Sequence, residues 1–272
     1  MDRSFTTFGT LSDEAWLDVM IRSTDEREIK GVRFAGFPSP EIQKAIIGSS
    51  GAEALKEAWK FYVKVKDAAR RNGVDPQDAR ILDFGAGWGR MLRFFARETG
   101  GDRLFGVDPS AVLVDLCRTT EVPGSVTIIT PNSPLPFHDG LFDLIYAYSV
   151  FTHLPEHVHV SAMQELARCL RPGGILVATL QPRRFLDYCR TADPATHGWH
   201  GLLRAGIEKM PDAEARFDRG EFVTLSLSTA DYGDVLVPRP YISRHWASRF
   251  KLCEYLDDPK AFQQAVLTVQ RL

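Results

Sequence analysis

Apolar residues along this chain fall into two alternating patterns. Short continuous runs, near Ile81 to Phe84, Leu104 to Asp108, Val126 to Thr130 and Phe142 to Ile145, read as strands covered on both faces, as in a parallel sheet. Between them the apolar positions take helical spacing. Leu55, Trp59, Tyr62 and Ala69 share one face from Glu53 to Arg71, a helix ended by Asn72-Gly73. Leu92, Phe95 and Ala96 mark a helix from about Arg90, and a short helix starts at Ser110. Pro155 suits the first turn of a further helix, whose buried face is expected to carry Val160, Met163, Ala167 and Leu170. Two more strands are expected near Lys251 to Leu256 and Ala265 to Leu272. The alternation predicts an α/β fold.

Two stretches resist this reading. From about Gln181 to Pro240 the pattern breaks at Pro182, Pro194, Gly198, Gly201, Pro211 and Gly233, which reads as an irregular insertion. Residues 1 to about 50 show no clear period, and Phe34-Ala35-Gly36-Phe37-Pro38-Ser39-Pro40 reads as an ordered loop with exposed aromatics, either an arm packed on the domain or a lid. There are no internal repeats.

The 272 residues fit one large domain or a domain with an elaboration. A hydrophobic content of 44% is ordinary for a globular protein, and no apolar run approaches the ~18 residues of a membrane span. The polar start, Met1 to Thr10, lacks a signal core. Cys117, Cys169, Cys189 and Cys253 have neither metal-site nor disulfide-framework spacing, so reduced thiols and a cytoplasmic location are expected. A formal charge of −2 gives no general attraction to nucleic acid, and none is expected as a partner.

Candidate chemistry gathers where the first strand meets its helix, at Leu82-Asp83-Phe84-Gly85-Ala86-Gly87-Trp88-Gly89-Arg90. Glycine tolerates positive φ and lets a ligand come close to the backbone, and the helix start adds amides and the positive end of a dipole. A dinucleotide fingerprint wants its third glycine at the sixth position, where Arg90 stands here. No Gly-Lys-Ser/Thr follows, which excludes a P-loop.

These residues resemble the first motif of the class I S-adenosylmethionine-dependent methyltransferases. The likeness continues in order, through Leu104-Phe105-Gly106-Val107-Asp108 for the second strand and its acidic end, Phe142-Asp143-Leu144-Ile145 for the fourth strand, and Leu170-Arg171-Pro172-Gly173-Gly174 for the turn before the fifth. It implies a three-layer Rossmann-like fold with a mostly parallel seven-stranded sheet and an antiparallel last strand. Residues 1–75 would form a helical arm or lid, and residues 76–272 the catalytic domain, with the insertion at about 181–240 shaping the acceptor pocket.

The resemblance implies S-adenosylmethionine as cofactor. Its methionine moiety would be held by Asp83, Gly85, Ala86, Gly87, Trp88 and Gly89, with loop amides on the carboxylate and Asp83 on the ammonium. Asp108, followed by Pro109, would accept from both ribose hydroxyls; the other reading of Asp108 is a helix cap. Asn132, followed by Ser133, stands where the family usually has an acidic residue, and would accept from the adenine amino group or order its loop as an Asx turn. Ser149, after the fourth strand, completes the cofactor set.

The stretch Tyr146 to Pro155 lacks the Asn/Asp-Pro-Pro-aromatic element of enzymes that methylate nucleobase or glutamine amines, and instead resembles small-molecule methyltransferases. His153 is the candidate general base for an acceptor hydroxyl, or else a helix cap or backbone partner. His153, His157 and His159 do not make a metal site, since Pro155 sets His153 ahead of the helix and no acidic partner completes the group. Tyr188, His197, His200, Tyr232 and His245 are further substrate-facing candidates. The expected reaction is methyl transfer to a small-molecule oxygen or nitrogen, on a sugar or secondary metabolite. A non-catalytic cofactor-binding scaffold and a nicotinamide-dependent oxidoreductase stay open as alternatives; the latter lacks a Tyr-x-x-x-Lys pair.

Overall fold

A computed structural model describes residues 3–196 and 198–272. After a 3-10 turn at Arg3–Phe8 come helix α1 (Asp13–Arg22), a small hairpin of β1 (Glu28–Ile29) and β2 (Val32–Arg33), and helices α2 (Pro40–Ile47) and α3 (Gly51–Arg71). The α/β alternation follows as β3 (Ile81–Phe84), α4 (Arg90–Thr99), β4 (Leu104–Asp108), α5 (Ala111–Thr119), β5 (Ser125–Ile128), β6 (Phe142–Ala147), α6 (Glu156–Cys169) and β7 (Leu170–Leu180). Next stand α7 (Phe185–Thr191), α8 (Gly198–Lys209), α9 (Ala213–Asp218), a hairpin of β8 (Val223–Thr229) and β9 (Tyr232–Leu236), and α10 (Arg239–His245). Strands β10 (Phe250–Leu256) and β11 (Ala265–Arg271) close the chain.

Seven strands form one sheet in the order β10-β11-β7-β6-β3-β4-β5. Strand β3 runs parallel to both β4 and β6, β4 runs parallel to β5, and the last strand, β11, is antiparallel to both β7 and β10. This is the mostly parallel sheet with an antiparallel end that the sequence predicts. Strand order reverses at β3, because the chain first adds β4 and β5 on one side and then returns to add β6 on the other. Ligands of open α/β sheets bind outside the strand ends at such a reversal.

Two compact units make up the chain, residues 1–130 with 141–146 and residues 131–140 with 147–272. In the first, every residue of β3 is buried, as its unbroken apolar run requires. Helix α3 buries Leu55, Tyr62 and Ala69 of the predicted face, and Tyr62 lies against Phe95 with centroids 5.0 Å apart. Helices α1, α3 and α4 are joined by buried charges: Lys66 Nζ lies 2.6 Å from Asp13 Oδ1 and 2.8 Å from Glu98 Oε1, and Arg97 pairs with the same two carboxylates. The expected exposed aromatic at Phe34 is instead 2% exposed, packed with Phe5, Phe8 and Trp16. A large ring in a stretch that ends in Pro38-Ser39-Pro40 looks like a loop in sequence, but the area it buries here outweighs any loop preference.

The second unit holds β7, β10, β11 and the segment from Gln181 to Pro240. That segment is not irregular. Phe185, Leu186, Cys189, Leu203, Ile207, Ala213, Val223, Leu225 and Leu236 form an apolar cluster of its own. Its helices run 6 to 12 residues, too short between Pro and Gly to show a period against their flanks. On α6 the buried face is Val158, His159, Met163, Leu166 and Ala167, whereas Val160 is 39% exposed, contrary to expectation. The histidine takes the inward place, enclosed by the rings of Phe151, Phe222, Tyr241 and Trp246. Among the described residues no helix is long and apolar enough to cross a membrane.

Candidate functional site

The loop after β3 is stapled to the end of β4. Gly85 N and Ala86 N both donate to Val107 O, at 2.9 and 3.0 Å, and Gly87 N donates to Asp108 Oδ2 at 2.9 Å. Gly89 N turns back to Ala86 O at 2.9 Å. Four loop amides are therefore engaged within the fold, and what the loop offers a ligand is close approach. Gly87, at φ +55°, has nothing among the described residues beyond its chain neighbours within 4 Å of the place a Cβ would occupy. Gly89, at φ +78°, is different: a Cβ there would lie 2.5 Å from Val122 Cγ1, so this glycine lets the start of α4 pack down. Ala86 is buried against Gly106 of β4, where an added Cβ would come within 3.0 Å of the alanine's.

Asp108 ends β4 with both carboxylate oxygens already holding backbone amides, Gly87 N on Oδ2 and Ser110 N on Oδ1 at 2.9 Å. The helix cap is Ser110, whose Oγ accepts from Leu113 N, so Asp108 is not the capping residue. Each carboxylate oxygen has lone-pair capacity for a second donor, which is what a vicinal diol requires. Burial raises the Asp108 pKa, opposed by those two amide bonds.

Asp83 lies one register position before the loop, 2% exposed, with Oδ2 unpartnered among the described residues. Burial pushes its pKa up to about 8, against a lowering influence of Tyr146, while the negative charge of Asp108 adds to the rise and Arg90 opposes it. The Tyr146 hydroxyl is itself buried without a bond of ordinary geometry among the described residues. A carboxyl with an open oxygen and a destabilised anion is complementary to a bound ammonium, whose charge would bring the acid back to its ionised form. These observations fit the methionine ammonium and the ribose of S-adenosylmethionine to Asp83 and Asp108. Trp88, also expected in the cofactor set, turns its ring inward. It is 1% exposed, 6.0 Å from Phe37 and beneath the Arg93 guanidinium.

In the second unit, the exposed Asn132 adopts φ +60° and donates through Nδ2 to Asp231 Oδ1 at 3.0 Å. That bond fixes the amide so that its oxygen is the group left to accept. Ser133 beside it is exposed. Pro109, in the first unit, is exposed as well. Ser149 holds φ +60°, a conformation costly for a residue with a Cβ, supported by Ser149 N donating to Thr179 Oγ1 at 2.7 Å and Gln264 Nε2 donating to Ser149 Oγ at 2.9 Å. The other end of that side chain, Gln264 Oε1, is buried and unpartnered among the described residues.

His153 stands before α6, whose N-cap is Pro155. Its Nδ1 lies 2.9 Å from Gly233 O and 3.5 Å from Asp234 Oδ1, and Tyr232 stacks on its ring at 4.8 Å and 14°. His157 meets Asp231, and Tyr188 bonds His200 at 2.7 Å. His245 stacks on Tyr241 at 4.1 Å, and His197 lies outside the described residues. Among the described residues no group of three or more His, Cys, Asp or Glu is placed to hold a metal ion. Asp234, Thr179 and Gln264 escape sequence reasoning because their partners are 81, 30 and 115 positions away and no local motif marks them. Tyr146 had a signal, standing at the end of the strand beside Asp83.

Residues 81–174, from the first residue of β3 to the glycine pair in β7, match the model of a family described as a methyltransferase domain. The chain is 34% identical over 119 residues to methyltransferase GfsG of Streptomyces halstedii, covering 42% of each protein. It is 26% identical over 163 residues to trans-aconitate 2-methyltransferase of Variovorax paradoxus, covering 60% of this chain and 58% of that one. The chain thus spans about half the length of these curated relatives. In fold it is similar to magnesium protoporphyrin IX methyltransferase of Synechocystis, solved with bound SAH, at a TM-score of 0.54 and 12% identity, covering 85% of this chain and 94% of that one.

Proposed function

We propose that this chain is a class I S-adenosylmethionine-dependent methyltransferase that transfers a methyl group to the oxygen or nitrogen of a small molecule, a sugar or secondary metabolite, in the cytoplasm. The observation that carries this reading is the pair of buried carboxyls at the loop. Asp83 has a buried oxygen without a partner among the described residues, as a bound ammonium would require, and Asp108 is locked to Gly87 with capacity left for a diol. When bound, S-adenosylmethionine would supply an electrophilic methyl group for the acceptor atom. The protein's own part is to hold and to exclude. Asp83 and Asp108 bind and orient, the open side of Gly87 admits the ligand against the backbone, and His153 is the candidate for taking a proton from the acceptor. Asn132 and Ser149 are assigned to the same cofactor on the resemblance.

The test has two arms. S-adenosylhomocysteine at a hundred times its dissociation constant should raise the unfolding free energy by about 2.7 kcal/mol if it binds only the folded state. Asp108→Ala should remove most of that gain, and an undiminished gain in the variant would take Asp108 out of the site. Mass spectrometry of a cell extract incubated with labelled donor then names the acceptor. Binding without any labelled product would favour a cofactor-holding scaffold instead.

A further inference from the structure

The β8–β9 hairpin is bonded to the residues that follow β6. Gly233 N donates to His153 O at 2.9 Å and Val235 N donates to Thr152 O at 3.0 Å, so β9 lies along residues 152–153 like an added strand. Three consecutive hairpin residues therefore meet the His153 ring: Tyr232 by stacking, Gly233 through its carbonyl and Asp234 through its carboxylate. A carbonyl oxygen only accepts. The 2.9 Å contact and the Asp234 carboxylate 3.5 Å from the same nitrogen together place the proton of the neutral ring on Nδ1 and leave Nε2 bare. Nε2 makes no hydrogen bond among the described residues.

Asp234 is 4% exposed and held from behind. Trp199 Nε1 donates to Oδ1 at 3.0 Å and Ser226 Oγ donates to Oδ2 at 2.6 Å. Burial alone would raise its pKa, but hydrogen bonds from His153, Ser226 and Trp199 outweigh burial and keep the carboxyl below its ordinary value. A buried anion beside the protonated nitrogen of a partly exposed histidine is the arrangement in which a third group orients a base and stabilises its charged form.

We propose that Asp234 is the positioning residue for His153, and that the acceptor of this methyltransferase is a hydroxyl compound. The proposal rests on the reading above. A carboxylate acceptor is already an anion, and a neutral amine attacks with a lone pair and loses its proton afterwards. Only a hydroxyl needs its O–H bond broken as attack proceeds. In that step the O–H pair stays on the acceptor oxygen and the proton passes to His153 Nε2. The imidazolium so formed keeps its other proton on Nδ1 beside Asp234, and Nε2 then returns its proton to solvent.

The tautomer is read in the free protein by long-range 1H–15N correlation with 15N-histidine labelling, the His153 signals being assigned with a His153→Gln variant. The expected spectrum has Nδ1 protonated and Nε2 unprotonated. In Asp234→Ala the Nε2–H form should rise severalfold, and Asp234→Glu should restore the original balance. Ser226→Ala, which loosens Asp234 without removing its charge, should shift the same populations less and in the same direction. A wild-type His153 protonated on Nε2 overturns the proposal with no variant needed. So does a folded Asp234→Ala or Ser226→Ala protein whose His153 spectrum is unchanged. The labelled product should be a methyl ether; label released as methanol by mild alkali, or found on nitrogen, overturns the hydroxyl assignment. Calorimetry with S-adenosylhomocysteine separates the two levels, since failure to bind refutes the methyltransferase reading, while intact binding with the wrong tautomer refutes only the dyad.

Discussion

Gly87 and Gly89 stand two residues apart in one loop, and alanine at each should produce opposite phenotypes. Both have positive φ, +55° and +78°, so each substitution places an L-residue in the left-handed region at about 1–2 kcal/mol. At Gly87 that is the whole expected cost to the fold, because the new methyl meets nothing within 4 Å. At Gly89 the methyl would fall 2.5 Å from Val122 Cγ1 and 2.9 Å from Cγ2, and such overpacking adds about 1–3 kcal/mol. Gly89→Ala should therefore lose about 2–5 kcal/mol in urea unfolding and Gly87→Ala about 1–2. Ligand binding should follow the reverse order. If the cofactor takes the space beside Gly87, as proposed, the new methyl would stand in it, and calorimetry should show S-adenosylhomocysteine affinity falling at least tenfold in Gly87→Ala. In whatever fraction of Gly89→Ala stays folded, affinity should change only a few-fold. Adding Val122→Ala to Gly89→Ala should return the overpacking part. Equal destabilisation by the two substitutions, or full-strength binding to Gly87→Ala, would refute the division of labour between these glycines.

Proton linkage at Asp83 gives a second expectation. With its pKa near 8 in the free protein, ammonium binding between pH 6 and 8 must release a proton, so affinity for S-adenosylhomocysteine should rise by up to about tenfold per pH unit, flattening near pH 8. Calorimetry in two buffers of different ionisation enthalpy measures the release, and a pH-independent affinity would rule it out. The same group makes the folded state bind more protons than the unfolded chain from about pH 4 to 8, so it lowers stability as pH rises. Asp83→Asn should accordingly stabilise the free protein at pH 8 in chemical unfolding while weakening cofactor binding. Lys66→Met strips the cation from between Asp13 and Glu98 and should cost about 3–5 kcal/mol by urea titration, since it leaves Glu98 buried beside Tyr62 with less compensation. Burial raises the Asp13 and Glu98 pKa values, but Lys66 and Arg97 outweigh it and hold both carboxyls low. Their stabilisation should be complete above about pH 5 and fade as pH falls below about 4, a loss that an acid unfolding series reads directly.

Parts of the molecule legible in the sequence are those set by local rules. A strand covered on both faces must be continuously apolar, so β3, β4 and β6 announce themselves, and Asp108 is conspicuous as an acid at the end of such a run. What the loop does with its amides was not legible. The expectation of amides facing the cofactor carboxylate comes from the family resemblance, whereas the bonds from Gly85 and Ala86 to Val107 depend on a strand neighbour about twenty residues on. The segment after β7 was opaque for another reason: its helices are brief and its apolar residues serve a cluster that exists only once distant turns have met. Val160 and His159 trade places against the hydropathy rule because a ring of aromatic side chains accepts the flat histidine, at the cost of two ring nitrogens without partners among the described residues.

The backbone ladder between β9 and residues 152–153 bears on how this chain can be altered. Loops that shape acceptor pockets are tempting parts to exchange when a transferase is to be given a new substrate, and residues 181–240 look like a cassette that could be lifted out. They are not separable in that sense, because cutting the cassette out also unties the histidine that precedes α6. A graft from a relative would have to carry its own counterpart of Gly233 and Asp234 in the same register, or the recipient would gain a new pocket and lose the handle that turns it.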